Sequence, residues 1–281
     1  MTLSEALRTA SQRFAGDTAL IDAQLLLCAV LDAPRSRLYS HPEQELTTEQ
    51  QQRFEELCTR RAAGEPMAYI LGRREFWSLE LEVSPGVLIP RPETELLVEV
   101  ALRLGGKNNG RVADLGTGSG AIALALASEC PHWHIVAVER SAEACAVAQR
   151  NFARAGLNNL ELREGSWCAP LHELDYLLIV SNPPYLAPQD PHLHEGDLRY
   201  EPQSALVAND DGLADLRELA TTAPEHLAPK GWLILEHGWQ QGEAVRELLE
   251  RNGFAQIATY RDTAGHERVT AGRKPAGAGH E

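Results

Sequence analysis

Val112-Ala113-Asp114-Leu115-Gly116-Thr117-Gly118-Ser119-Gly120 is an apolar strand that runs directly into a turn with glycine at every second position. Without a Cβ, glycines 116, 118 and 120 let the backbone turn tightly and let a ligand come close to it. The next residues, Ala121 to Ser128, predict a helix. In an open α/β sheet such a turn lies at the carboxyl ends of the strands, where ligands bind. The spacing is G-x-G-x-G and not the dinucleotide G-x-G-x-x-G, so the turn predicts a nucleoside-cofactor site, with a dehydrogenase still open at this point.

Outward from the turn the chain alternates. Strands are predicted over 111–115, 134–138, 160–163, 176–180 and 232–235. Helices are predicted over 121–128, 142–155, 213–227 and 243–251. Two final apolar segments, 254–260 and 267–271, are separated by too few residues for a crossover helix and read as an antiparallel pair. This alternation predicts an α/β fold with a mostly parallel, doubly wound sheet and an antiparallel last strand. Upstream, Ile21 to Leu31 carries apolar residues near a 3.6-residue period, and Thr47 with Gln50 fits a capping box opening another helix. Between these regions, Phe76 to Ile89 around Ser84-Pro85-Gly86 predicts a β-hairpin, and Pro92 can open the helix that follows. The expected organisation is a helical domain over 1–75, a hairpin linker over 76–91, an α/β domain over 92–272 and a disordered tail over 273–281.

The chain has 281 residues and a formal net charge of −14. Residues 1–75 contribute only −2 of this and the rest −12. An acidic body is a poor polyanion binder, because sequence-independent nucleic-acid affinity comes from Lys and Arg. The five cysteines, 28, 58, 130, 145 and 168, show no C-x-x-C pairing, and the ten histidines show no metal-ligand spacing. Neither a disulfide framework nor a metal site is predicted. No apolar run approaches the length of a membrane span and no secretory signal pattern is present, so the expected location is the cytoplasm.

Asn182-Pro183-Pro184-Tyr185 follows the apolar run 176–180 at the expected end of the fourth strand. A conjugated NH2 group is a poor nucleophile because its lone pair is delocalised. Two acceptors, the Asn182 side-chain oxygen and the Pro183 carbonyl, can hold both N–H groups and turn the lone pair toward a sulfonium methyl. The prolines restrict the backbone and bring no competing N–H. Tyr185 offers a face for a planar amide or base. Such catalysis rests on alignment and fixed dipoles. Asp114 then suits a methionyl ammonium or an ordered water beside it, and Glu139, after the apolar run 135–138, suits the two ribose hydroxyls. Trp167 fits either an adenine wall or a core side chain. His237 reads as structural, and Arg91 and Glu93 as either entrance residues or helix caps.

Taken together, these segments resemble the N5-glutamine methyltransferases of peptide chain release factors, the PrmC/HemK family. The resemblance rests on Gly64-Glu65-Pro66 with Tyr69, Leu71 and Gly72, on Leu88-Ile89-Pro90-Arg91-Pro92-Glu93-Thr94-Glu95, on the glycine turn, and on Asn182-Pro183-Pro184-Tyr185. Glu201-Pro202 and Glu236-His237-Gly238 extend it. It implies a Rossmann-like class I fold with S-adenosyl-L-methionine as methyl donor and S-adenosyl-L-homocysteine as product. Asp114, Gly116, Thr117, Gly118, Ser119, Gly120, Glu139, Trp167 and Asn182 would serve the cofactor. Asn182, Pro183, Pro184 and Tyr185 would frame the substrate, the glutamine of the Gly-Gly-Gln loop of class 1 release factors. A monomer is the default expectation, oligomeric state not being legible in the sequence, and the acidic charge leads us to expect no direct contact with nucleic acid. Two departures stand out: the family usually has Asp where this chain has Glu139, and often an acid where it has Ser166. An adenine-N6 methyltransferase and a non-catalytic cofactor-binding recruiter of release factors are the alternatives.

Overall fold

The computed structural model describes residues 1–276, which divide into two units. The smaller comprises Met1–Arg73 together with Glu195–Tyr200. Its helices are α1 (Leu3–Ser11), α2 (Ala19–Leu31), α3 (Ser36–Ser40), α4 (Thr48–Ala62) and α5 (Met67–Leu71). The capping box read from Thr47 and Gln50 forms: each backbone N–H is taken by the other's side-chain oxygen, at 3.0 and 3.2 Å. Thr2 and Glu5 repeat the device at the head of α1. Leu3, Leu26, Leu27, Phe54, Leu57 and Cys58 form the core, and burial pushes the Cys58 thiol up to about 11. At the edge of this core a buried Asp22 pairs with Arg61 at 2.7 Å. Residues 195–200 lie against the end of α4, where the Tyr200 hydroxyl donates to the Ala63 carbonyl at 2.6 Å. The unit is therefore not the continuous 1–75 that the sequence suggested, since a polar loop segment far downstream supplies its last contacts.

The larger unit, Arg74–His194 with Glu201 onward, opens on a hairpin of β1 (Arg73–Phe76) and β2 (Leu79–Glu82). This corrects the expected hairpin over 76–89. The chain reverses at Trp77-Ser78, both at positive φ, and Ser84-Pro85-Gly86-Val87 is a separate turn closed by Val87 N–H to Ser84 O at 3.0 Å. Proline and glycine mark that second turn strongly, whereas the true reversal uses two residues with no turn signature.

Next come α6 (Glu95–Gly105), β3 (Gly110–Leu115), α7 (Ala121–Glu129), β4 (Trp133–Glu139), α8 (Ala142–Ala155), β5 (Leu160–Glu164) and β6 (Tyr176–Ser181). They are followed by α9 (Asn209–Gly212), α10 (Ala214–His226), β7 (Leu227–Glu236), α11 (Gly242–Arg251), β8 (Ala255–Arg261) and β9 (Glu267–Arg273). Seven strands form one sheet in the order β5-β4-β3-β6-β7-β9-β8, with β9 antiparallel to both neighbours and all other pairs parallel. Central strands buried on both faces read as unbroken apolar runs, and Leu178, Ile179, Val180, Leu233, Ile234 and Leu235 are indeed fully buried. The sheet is the doubly wound α/β fold expected from the alternation. β9 continues to Arg273, and Lys274 still pairs with Gly231 and Lys230, so the predicted tail does not begin at 273. The rest of that tail, 277–281, lies outside the described residues. No helix among them is long and apolar enough to cross a membrane, and no His, Cys, Asp or Glu cluster among them could hold a metal.

Candidate active site

The carboxyl ends of β3, β4 and β6 converge on one cleft that opens to solvent. Gly116, Gly118, Glu139, Trp167, Asn182 and Pro184 line it, so six of the residues singled out from sequence meet there.

The glycine turn is held from behind. Gly116 and Thr117 both donate backbone N–H groups to the Val138 carbonyl, each at 2.9 Å. Asp114 is wholly buried and does not line the cleft. Its Oδ2 accepts from the Thr117 hydroxyl at 2.5 Å and from Ala123 N–H at 3.1 Å, which locks the turn to the first turn of α7. Its Oδ1 is buried with no protein partner among the described residues. Thr117 and Ser119 are buried as well, and Ser119 O accepts from Asn151 Nδ2 at 2.8 Å. The same Asn151, on α8, also bonds both the N–H and the carbonyl of Glu82, tying the hairpin to the turn. No signal in a single sequence marked Asn151 for this.

Glu139 shows how the longer acid fits. Oε1 accepts from the N–H groups of Arg140 and Ser141 and Oε2 from Gly118, all at 2.9 Å. The extra methylene lets the carboxylate curl back over its own strand end, while the residue still borders the cleft. Trp167 sits at φ 46° with its ring against Gly116, where a Cβ would come within 3.1 Å of it. Trp167 is almost fully buried, as a core side chain would be, and it also lines the cleft.

Asn182 follows β6, and its Nδ2 donates to the Thr94 hydroxyl at 3.2 Å. Pro183 and Pro184 are buried, and only the latter borders the cleft. Tyr185 is half-buried, packs on the core beneath, and its carbonyl accepts from Gln241 at 3.1 Å. Burial also holds its phenol well above the usual range. His237 is structural: Nδ1 lies 2.9 Å from Gly238 O and Nε2 2.8 Å from the Thr270 hydroxyl, and burial keeps the imidazole below its ordinary value.

The rest of the rim includes residues that the sequence reading quoted without giving them a role there. Gly86, Val87 and Leu88 form one wall, while Pro202, Ser204 and Ala205 form another. A buried Glu201 joins them, pairing with Arg91 and accepting from Ile89 N–H at 3.0 Å. Arg91 therefore anchors the rim. Glu236, at the end of β7, was likewise named in the sequence without a role. It is 2 % exposed, burial pushes its carboxyl up to about 7, and the facing polar groups of Thr94 and Asn182 pull the other way.

Two buried carboxyls with raised values make a stability prediction. Burial likewise takes Asp114 up to about 7. The folded state then keeps protons that the unfolded chain releases between about pH 4 and 7, so stability should fall as pH rises through that window. His237 opposes with one proton against two. The urea midpoint measured from pH 4 to 8 should decline, and Asp114→Asn should flatten the decline. An unchanged slope in that variant would refute the assignment.

A glycine turn beside an acid at one strand end, with Asn-Pro-Pro-Tyr at the end of the neighbouring strand, defines the class: a doubly wound methyltransferase. Residues 92–195 match the family model described as a methyltransferase small domain, and residues 5–72 match the PrmC N-terminal domain. The fold agrees with the ribosomal protein L11 methylase of Lactobacillus delbrueckii subsp. bulgaricus, at a TM-score of 0.51 and 23% identity over 68% of this chain and 84% of that one. Over 97% of both chains the sequence is 50% identical to the release factor glutamine methyltransferase of Vibrio cholerae. It is 52% identical to that of Pseudomonas aeruginosa over 91% of this chain and 93% of the relative. The chain belongs to the release factor glutamine methyltransferase family, as the resemblance implied.

Proposed function

We propose that this protein transfers the methyl group of S-adenosyl-L-methionine to the side-chain amide N5 of the glutamine in the Gly-Gly-Gln motif of class 1 peptide chain release factors. The observation that carries the reading is Asn182: it borders the same cleft as the glycine turn and Glu139, and its amide nitrogen is engaged by Thr94. Its oxygen is then the atom left for a substrate N–H.

The cleft suits the cofactor. Gly118 presents bare backbone with no protein atom within 4 Å of where a Cβ would stand, Glu139 places a carboxylate at the ribose position, and Trp167 walls one side. The unpartnered Asp114 Oδ1 behind the turn suits an ordered water better than the ammonium itself, since the residue does not reach the cleft. When bound, S-adenosyl-L-methionine supplies the electrophilic methyl. The protein's part is alignment: Asn182 Oδ1 and the Pro183 carbonyl accept the two amide N–H groups, leaving the nitrogen lone pair to face that methyl. The new C–N bond forms as C–S breaks, S-adenosyl-L-homocysteine departs, and the amide proton passes to solvent.

The helical unit would recruit the release factor, its near-neutral charge contrasting with the acidic α/β unit. Removing residues 1–62 should raise KM for whole release factor while cofactor affinity survives; an unchanged KM in a folded truncation would exclude recruitment. We place the enzyme in the cytoplasm as a monomer with no direct nucleic-acid contact. The deciding experiment is peptide mass spectrometry of release factor incubated with the protein and S-adenosyl-L-methionine. A single methyl on the Gly-Gly-Gln glutamine supports the reading. Its absence, with methylation of adenine in nucleic acid instead, would replace it.

A further inference from the structure

The end of β7 holds a carboxylate that the mechanism above leaves unused. In the parallel register Ser181 pairs with Leu235, so the next residues, Asn182 and Glu236, stand side by side where the two strands end. Thr94, 4 % exposed at the head of α6, completes the group. Asn182 Nδ2 carries two N–H bonds. One goes to Thr94 Oγ1 at 3.2 Å, and the Glu236 carboxyl, which Thr94 and Asn182 both face, is the other acceptor on that side. Glu236 Oε2 is buried without a protein partner among the described residues, and Glu236 does not line the cleft.

An asparagine amide has two nearly isosteric orientations, and only the surrounding donors and acceptors choose between them. Here the flip decides catalysis: oxygen outward accepts a substrate N–H, whereas nitrogen outward repels it. We propose that Glu236 is a positioning residue that, together with Thr94, holds the Asn182 amide with its nitrogen inward and its oxygen toward the substrate. The inference rests on the methyltransferase reading of the same cleft.

The ionised carboxylate accepts only, so it enforces the productive flip. A protonated carboxyl can donate to Asn182 Oδ1 and stabilises the wrong one. The groups facing Glu236 pull in both directions: Thr94, Asn182 and Arg268 of β9 favour the charged form, while burial and Glu93 oppose it. Tyr185, whose phenol burial and then the Glu236 charge hold neutral, faces the same space. The productive orientation therefore gains population as pH rises through about 7, the value to which burial brings Glu236.

The test uses the full-length protein and whole release factor, with kcat measured from pH 5.5 to 8.5. Wild-type kcat should rise through an inflection near the Glu236 value. In Glu236→Gln the amide can either accept or donate, so kcat should fall roughly tenfold to a hundredfold, lose that inflection, and leave KM and cofactor affinity within about threefold. Thr94→Val, which removes one of the two acceptors, should lower kcat in the same direction. Against an Asn182→Ala background, Glu236→Gln should cost nothing further, because a residue acting through Asn182 has nothing left to orient. Additive losses, a retained inflection, or a parallel loss of cofactor binding would each overturn the proposal and leave methylation by wild type intact. No methylation by wild type would instead overturn the function and this inference with it.

Discussion

Asn182→Asp is expected to lower kcat by about a hundredfold to a thousandfold, the usual effect of removing one aligned dipole from a preorganised site. The substitution preserves shape and even adds an acceptor, so a large loss would be informative. Asp has no N–H to give, so Thr94 Oγ1 loses its donor. The new carboxylate stands beside Glu236, and two adjacent acids raise each other's pKa until one holds a proton. Neither resulting state presents a fixed neutral oxygen to an amide N–H. The glycine turn, Glu139 and Trp167 are untouched, so cofactor affinity should stay within about tenfold. Single-turnover methylation and cofactor titration read the two quantities separately. A variant within tenfold of wild-type kcat would mean that Asn182 does not align the substrate.

Much of this site could be read from sequence because its parts are local. A strand end, a glycine turn and Asn-Pro-Pro-Tyr each carry their geometry in consecutive residues, and the helix predicted over 142–155 has the observed bounds of α8. Contacts between distant segments left no such mark. Glu201 clamps Ile89 and Arg91 from 110 residues downstream, and Asn151 binds Glu82 and Ser119 from a helix whose period says only which side is buried. Asp114 illustrates the halfway case. Its position before the turn announced an important acid, but only the fold shows that its partners are Thr117 and Ala123 behind the loop. The hairpin was misplaced for the opposite reason, because Ser84-Pro85-Gly86 is a strong local signal for a turn that joins no strands.

The glycine turn allows the second large effect to be separated from folding. Gly118 lies at φ +56°, in the left-handed region, so alanine there should cost the fold about 1 kcal/mol. A Cβ at this position meets no protein atom within 4 Å, and the residue borders the cleft, so the added methyl takes space that the cofactor would fill. Overpacking of a close-fitted contact costs roughly 1–3 kcal/mol, which is about a tenfold to hundredfold rise in cofactor Kd. Gly120 shares the conformation, at φ +86°, but its Cβ would stand 2.5 Å from Phe152 Cε1. Gly120→Ala should therefore fall mainly on stability, displacing a ring packed against the core, with the larger drop in denaturant midpoint of the two variants. Equilibrium unfolding and cofactor titration of both variants give four numbers. The site described here requires the binding loss to be greater in Gly118→Ala and the folding loss greater in Gly120→Ala. The reverse order would place the cofactor away from Gly118 and remove the glycine turn from the binding surface.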